Sequence, residues 1–131
     1  MRYVIALLIA LVFNAGANVL MKIGMKTVAA SGGLLKDGPV SALRTILTSA
    51  TLLAGLTLFI FNAAFYMYAL QSKDLKISLA YPIMVGGGFA LIAVVARIHP
   101  TLAERLTAGQ IMGVVFVLIG IALIAFQTEP A

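Results

Sequence analysis

Apolar residues fill four long stretches of the chain, separated by polar connections. They run from about Tyr3 to Met21, Thr45 to Leu70, Ile77 to Ala96 and Leu106 to Phe126. A helix that crosses a bilayer needs about 20 largely apolar residues at about 1.5 Å each. Each stretch therefore predicts one spanning helix, over residues 3–21, 45–70, 77–96 and 106–126. No room remains for a soluble domain. Residues 1–131 read as a single all-α, four-helix transmembrane domain. The one long connection, 22–44, contains Ser31-Gly32-Gly33 and Lys36-Asp37-Gly38-Pro39, which are turn signals. It is expected to be a loop without chemistry, with room for the first helix to overrun to about Val28 and for Leu34-Leu35 to rest at the membrane interface.

The polar positions inside the spans are few and ordered. Asn14, Asn18 and Lys22 follow one another at i, i+4 and i+8, so on a helix they share one face, and Lys26 continues the row. A soluble amphipathic helix has a broad polar face; here a narrow ladder runs up a hydrophobic cylinder. Amides in lipid are costly unless they face protein or water. Two readings fit: the ladder lines a substrate pathway, or the asparagines are interhelical glue and Lys22 snorkels to the headgroups.

The second span carries Asn62 and Tyr66, again i, i+4, and they are expected to face the first helix. Tyr68 reads as an interfacial anchor. The loop Gln71 to Lys76 demands an antiparallel return. The third span carries Tyr81-Pro82 and then Gly86-Gly87-Gly88. Proline interrupts the hydrogen-bond ladder and adjacent glycines weaken a helix, so Pro82, Gly86, Gly87 and Gly88 are either a hinge or a site of tight packing. Thr101-x-x-Glu104 fits a capping box that starts the fourth span. Within that span Gly109 and Gly113 form a G-x-x-x-G with Gly120 one heptad on, a smooth stripe expected to serve dimerisation.

Composition narrows the chemistry. The chain is 63% hydrophobic and 10% charged, whereas a soluble domain carries about 25% charged residues. Arg2, an apolar run and Ala15-Gly16-Ala17 mimic a signal peptide, but three more apolar spans follow, so the first stretch is read as a membrane helix. There are no cysteines and one histidine, His99, read as a loop residue. The net charge of +5 is dispersed and argues against nucleic acid as a partner. Asp37, Asp74, Glu104 and Glu129 all fall outside the spans, so no carboxylate is available mid-membrane to alternate between proton and substrate. No catalytic, metal-binding or cofactor-binding constellation is evident, and no enzyme is expected. The set Asn14, Asn18, Lys22, Asn62, Tyr66 and Tyr81 suits neutral polar or anionic groups, such as sugar hydroxyls and phosphates.

Orientation is weakly specified. Arg2, Lys73 and Lys76 lie on one side; Lys22, Lys26, Lys36, Arg44, Arg97 and Arg105 lie on the other. The positive-inside rule favours cytoplasmic first and third loops. With Lys22 and Lys26 discounted as helix-end residues, the bias nearly vanishes and insertion in both orientations is open.

Asn14 through Lys22, Ile77-Ser78-Leu79-Ala80-Tyr81-Pro82 with the following glycines, and Glu104-Arg105-Leu106 together give the chain a resemblance. It resembles the four-helix members of the drug/metabolite transporter superfamily (EamA-like and small multidrug resistance-like). The resemblance covers about three of the four spans; the long first loop departs from it. The small multidrug resistance proteins have an essential glutamate where this chain has Asn14 and a tryptophan where it has Met84. They share Tyr81. The flippase subunits for aminoarabinose linked to undecaprenyl phosphate also lack that glutamate and have an Ala-Tyr-Pro like Ala80-Tyr81-Pro82. The resemblance thus implies a flippase of a lipid or lipid-linked sugar in a bacterial inner membrane. It also implies a homodimer, or a heterodimer with a related four-helix subunit. An exporter of small organic cations or metabolites, and an accessory subunit without transport of its own, are the alternatives.

Overall fold

The computed structural model describes residues 1–100, Leu102 and 104–127. It contains five helices and, among the described residues, no strand. They are α1 (Arg2–Ala30), α2 (Pro39–Thr48), α3 (Ala50–Ala69), α4 (Ile77–Ile98) and α5 (Ala108–Gln127). Four of them, α1, α3, α4 and α5, are long and apolar enough to cross a membrane. The four expected spans are therefore present as helices.

The first connection differs from the expectation. Helix α1 does not end near Met21 but continues to Ala30, giving 29 residues and a length of about 43 Å. No proline interrupts Lys22 to Ala30, Gly24 is held by its packing against Leu52, and the stop comes where Gly32 and Gly33 take φ of 112° and 103°. There the Gly33 amide reaches back to the Val28 carbonyl at 3.1 Å. Gly38, at φ 95°, then turns the chain, and Pro39 occupies the first turn of α2. Residues 22–44 are thus mostly helical, and Thr45 to Thr48 belong to α2 rather than to the second span. Ser49 adopts an extended conformation between α2 and α3 and accepts a hydrogen bond from the Leu52 amide at 3.3 Å. One residue thus ends one helix and caps the next.

The start of α5 is also shifted. It begins at Ala108, and its cap is a reciprocal pair. The Gln110 amide donates to Thr107 Oγ1 at 3.2 Å, and the Thr107 amide donates to Gln110 Oε1 at 2.8 Å. This is a capping box of the same pattern as Thr101-x-x-Glu104, six residues later. Thr101 lies outside the described residues, and Glu104 precedes the helix.

Helix α1 is the central element. It packs on α3 along one side and on α4 along the other; α5 packs against α4, and α2 against α3. Tyr3 meets Tyr68, Phe13 meets Phe61 and Phe65, Met21 lies over Gly55, and Gly24 over Leu52. This order makes α1 and α3 antiparallel. Leu11 against Gly87 and Asn14 against Gly88 make α1 and α4 parallel. The α3–α4 connection passes beneath the start of α1, where buried Leu75 joins Leu7, Ala10, Ala69, Ala80 and Met84 in one cluster. Glycines and alanines at these contacts let the helix backbones approach closely. The result is an open row of helices. None of the described side chains of α5 is buried.

Candidate functional site

The α1–α3 pairing sets the depth of each polar group. Phe13 lies against Phe61 and Phe65, so Asn62 stands at the level of Phe13 and Asn14, near the middle of both helices. Gly88 of α4 reaches the same level through its contact with Asn14. Tyr66 lies one turn from Asn62 on α3 and borders the cluster around Leu7, Ala10 and Met84. The structure therefore places Asn14 and Asn62 at one level on α1 and α3, with Tyr66 one turn further along α3, while Tyr81 stands near the start of α4.

Two buried side-chain atoms among the described residues have no hydrogen-bond partner, Asn62 Oδ1 and the Tyr66 hydroxyl. Asn62 is 8% exposed, and it is the buried polar residue of the described chain. An unsatisfied buried acceptor costs about 1–3 kcal/mol. Two of them one helical turn apart, in apolar surroundings, form a small unsaturated polar locus.

The ladder itself behaves differently along its length. Asn18 Nδ2 donates to the Asn14 backbone carbonyl at 2.8 Å and to Asn14 Oδ1 at 3.3 Å, so these two amides bond along α1. The Asn14 amide nitrogen rests on Gly88, where a methyl group would stand 2.8 Å from it. Lys22 is exposed, about one turn inside the level at which α3 begins, and Lys26 is exposed at that level. Tyr81 is also exposed.

Pro82 lies in an unbroken α4, and the three glycines are all seated against neighbours. A methyl at Gly86 would overlap Ile121 and Val117 of α5, and one at Gly87 would meet Leu11 of α1 at 2.5 Å. These glycines are points of close approach in this conformation. Gly113 and Gly120 are the opposite: nothing within 4 Å would meet an added methyl at either. Gly109 would meet Thr107 Oγ1 at 3.9 Å. The stripe on α5 faces open space.

Apolar grooves flank α1. One of about 400 Å³ is lined by Ile5, Ala6, Ile9, Ala64, Phe65 and Tyr68, together with Arg2. A second, of about 280 Å³, lies between α1 and α4 along Val12, Gly16, Val19, Leu91 and Val95. Asp37, Asp74 and Glu104 are exposed and outside the helices; Glu129 lies outside the described residues. Sequence reasoning missed the amphipathic α2, although Val40, Leu43 and Leu47 recur at i, i+3 and i+7 directly after Gly38-Pro39.

No family model matches the chain, and no solved structure matches it significantly. Over 122 residues it is 33% identical to Uncharacterized protein y4nH of Sinorhizobium fredii (strain NBRC 101917 / NGR234). The match covers 89% of this chain and 93% of that protein. Identity at that level over nearly the whole of both chains places them together: the chain belongs to the same family as the rhizobial protein y4nH.

Proposed function

We propose that the protein is a multi-pass transporter of a bacterial inner membrane that moves a lipid or lipid-linked sugar by alternating access. The observation that carries this reading is the pair of buried, unpartnered polar atoms, Asn62 Oδ1 and the Tyr66 hydroxyl, on residues one helical turn apart in α3. In lipid such atoms await a partner, and a passing head group rich in hydroxyls supplies donors and acceptors. Asn14 and Asn18 extend the polar path toward Lys22, whose ammonium attracts a phosphate at the membrane boundary. The apolar grooves along α1 suit the hydrocarbon tail, which stays in lipid. The likeness of Ala80-Tyr81-Pro82 to the lipid-linked sugar flippases points the same way.

A single chain leaves the path open on one side, so the working unit is a dimer, of two copies or with a related four-helix subunit. The stripe Gly109, Gly113, Gly120 supports this, since it is bare of neighbours within the chain. Gly86 to Gly88 let α4 slide or flex against α1 and α5 between the two open states.

Native mass spectrometry of the protein released from nanodiscs of bacterial lipid tests the proposal. A retained polyprenyl phosphate or glycolipid, weakened by Lys22→Ala at unchanged unfolding temperature, is the expected result. Equal loss of fold and ligand in that variant counts against it. Retention of quaternary amines in place of lipid moves the assignment to a cation exporter, and retention of neither by a dimer moves it to an accessory subunit.

A further inference from the structure

Helix α2 is amphipathic, ten residues long, and its apolar face is half covered. Ala42 is buried, and α3 is the helix on which α2 packs. Val40, Leu43 and Leu47 point away from that contact and are 82%, 58% and 58% exposed. On the opposite side, the Thr45 hydroxyl donates to the Ser41 carbonyl at 3.0 Å and the Thr48 hydroxyl to the Arg44 carbonyl at 2.8 Å. Ser41, Thr45 and Thr48 so make a polar side, and exposed Arg44 stands at its border with the bare apolar stripe.

Three observations decide what covers that stripe. The first is depth. Gly24 lies over Leu52, so the start of α3 is level with Lys26, and α2 joins α3 there through the single residue Ser49. Helix α2 is therefore held at the end of the spans, where hydrocarbon gives way to headgroups. The second is charge. Residues 22–44 carry Lys22, Lys26, Lys36 and Arg44 against the single acid Asp37. The third is the form of the helix itself, a short segment with an apolar stripe, a hydroxyl-rich face and a basic border, which is the signature of a helix lying in the interface plane.

We propose that α2 is an in-plane anchor that seats Val40, Leu43 and Leu47 among the upper acyl carbons of the leaflet, with Arg44 and Lys36 on the phosphates of anionic lipids. Its occupant is the bilayer surface, not a groove of another protein. Through Ser49 the anchor couples the composition of that leaflet to the position of α3, the helix that carries Asn62 and Tyr66. The inference rests on the reading of α1, α3, α4 and α5 as membrane spans.

The native chain has no cysteine, so single-cysteine variants report without background. Leu43→Cys, Leu47→Cys, Ser41→Cys and, as a control on α5, Val115→Cys are labelled with a nitroxide. Each is measured in nanodiscs of phosphatidylcholine with and without phosphatidylglycerol, against oxygen and a water-soluble nickel relaxant. The expected result is oxygen-dominated relaxation at positions 43 and 47, nickel-dominated relaxation at 41, and deeper seating when phosphatidylglycerol is present. Arg44→Glu with Lys36→Glu should abolish that deepening while leaving the phosphatidylcholine values unchanged. Nickel-dominated relaxation at 43 and 47 in both lipids overturns the proposal. Inaccessibility of both positions to both relaxants also overturns it, since the stripe is then covered by protein. The control separates the two readings: position 115 exposed to nickel would mean that the spans themselves are wrong.

Discussion

The side of Gly88 is occupied by the amide of Asn14: a methyl group at Gly88 would stand 2.8 Å from Asn14 Nδ2. A polar rung of α1 thus reaches α4 because α4 has no side chain there. Gly88→Ala should displace the Asn14 amide and destabilise the fold by about 1–3 kcal/mol, the usual cost of overpacking. Asn14→Ala should relieve much of that loss, because the smaller side chain vacates the same space. A double-mutant cycle on thermal unfolding in detergent measures the coupling, expected above about 0.5 kcal/mol. Additive losses would show that the two residues do not share the contact.

Asn62 offers a sharper separation of folding from function. Leucine has nearly the same shape as asparagine and no polar atom to leave unsatisfied. Since Asn62 Oδ1 has no partner, Asn62→Leu should hold or raise the unfolding temperature while reducing lipid retention. The unfolding temperature of the delipidated protein and the lipid retained in native mass spectra decide it together. A large drop in stability would place a structural partner on Asn62.

The glycines of α4 and α5 should respond in opposite ways. Gly86→Leu forces a side chain into Ile121 and Val117, so it should pull α5 from α4 and lower stability. A methyl group added at Gly113 or Gly120 has no neighbour within 4 Å, so Gly113→Leu and Gly120→Leu should leave the unfolding of the monomer nearly unchanged. They should instead shift the protein from dimer to monomer, read by light scattering in detergent. Unchanged dimer in both variants would remove the stripe from the interface.

The cap at Thr107 predicts a local effect. Thr107→Ala removes the acceptor for the Gln110 amide and should cost about 1 kcal/mol. Hydrogen exchange should rise in the first turn of α5 and stay unchanged at its centre. Gln110→Ala should expose the Thr107 amide in the same way. No change at either position would show that the helix begins elsewhere.

The spans were legible because their signal is a sum over about 20 residues and tolerates local error. Ile77 as the start of α4 agrees with its expected position, since the short loop before it leaves little freedom. Boundaries resting on one motif did worse. Thr101-x-x-Glu104 and Thr107-x-x-Gln110 both satisfy the capping pattern, and local sequence does not rank them. The 22–44 stretch was misread for a different reason: hydropathy alone reports whether a segment can cross a membrane. A ten-residue helix starting at Pro39 cannot, so its i, i+3, i+7 stripe passed as loop.

What the amino-acid order determined by itself was the number and approximate placement of the apolar helices, the row Asn14, Asn18, Lys22 on one face, and the absence of a carboxylate from the apolar spans. These follow from side-chain hydrophobicity and helical periodicity, which act within one segment. Tertiary structure decided which helix stands in the middle, that Asn62 Oδ1 and the Tyr66 hydroxyl are buried without partners, and that Gly86 is filled while Gly113 is bare. Those depend on where separate helices touch, and small residues at any of several stripes satisfy that demand equally well until all the contacts are made at once.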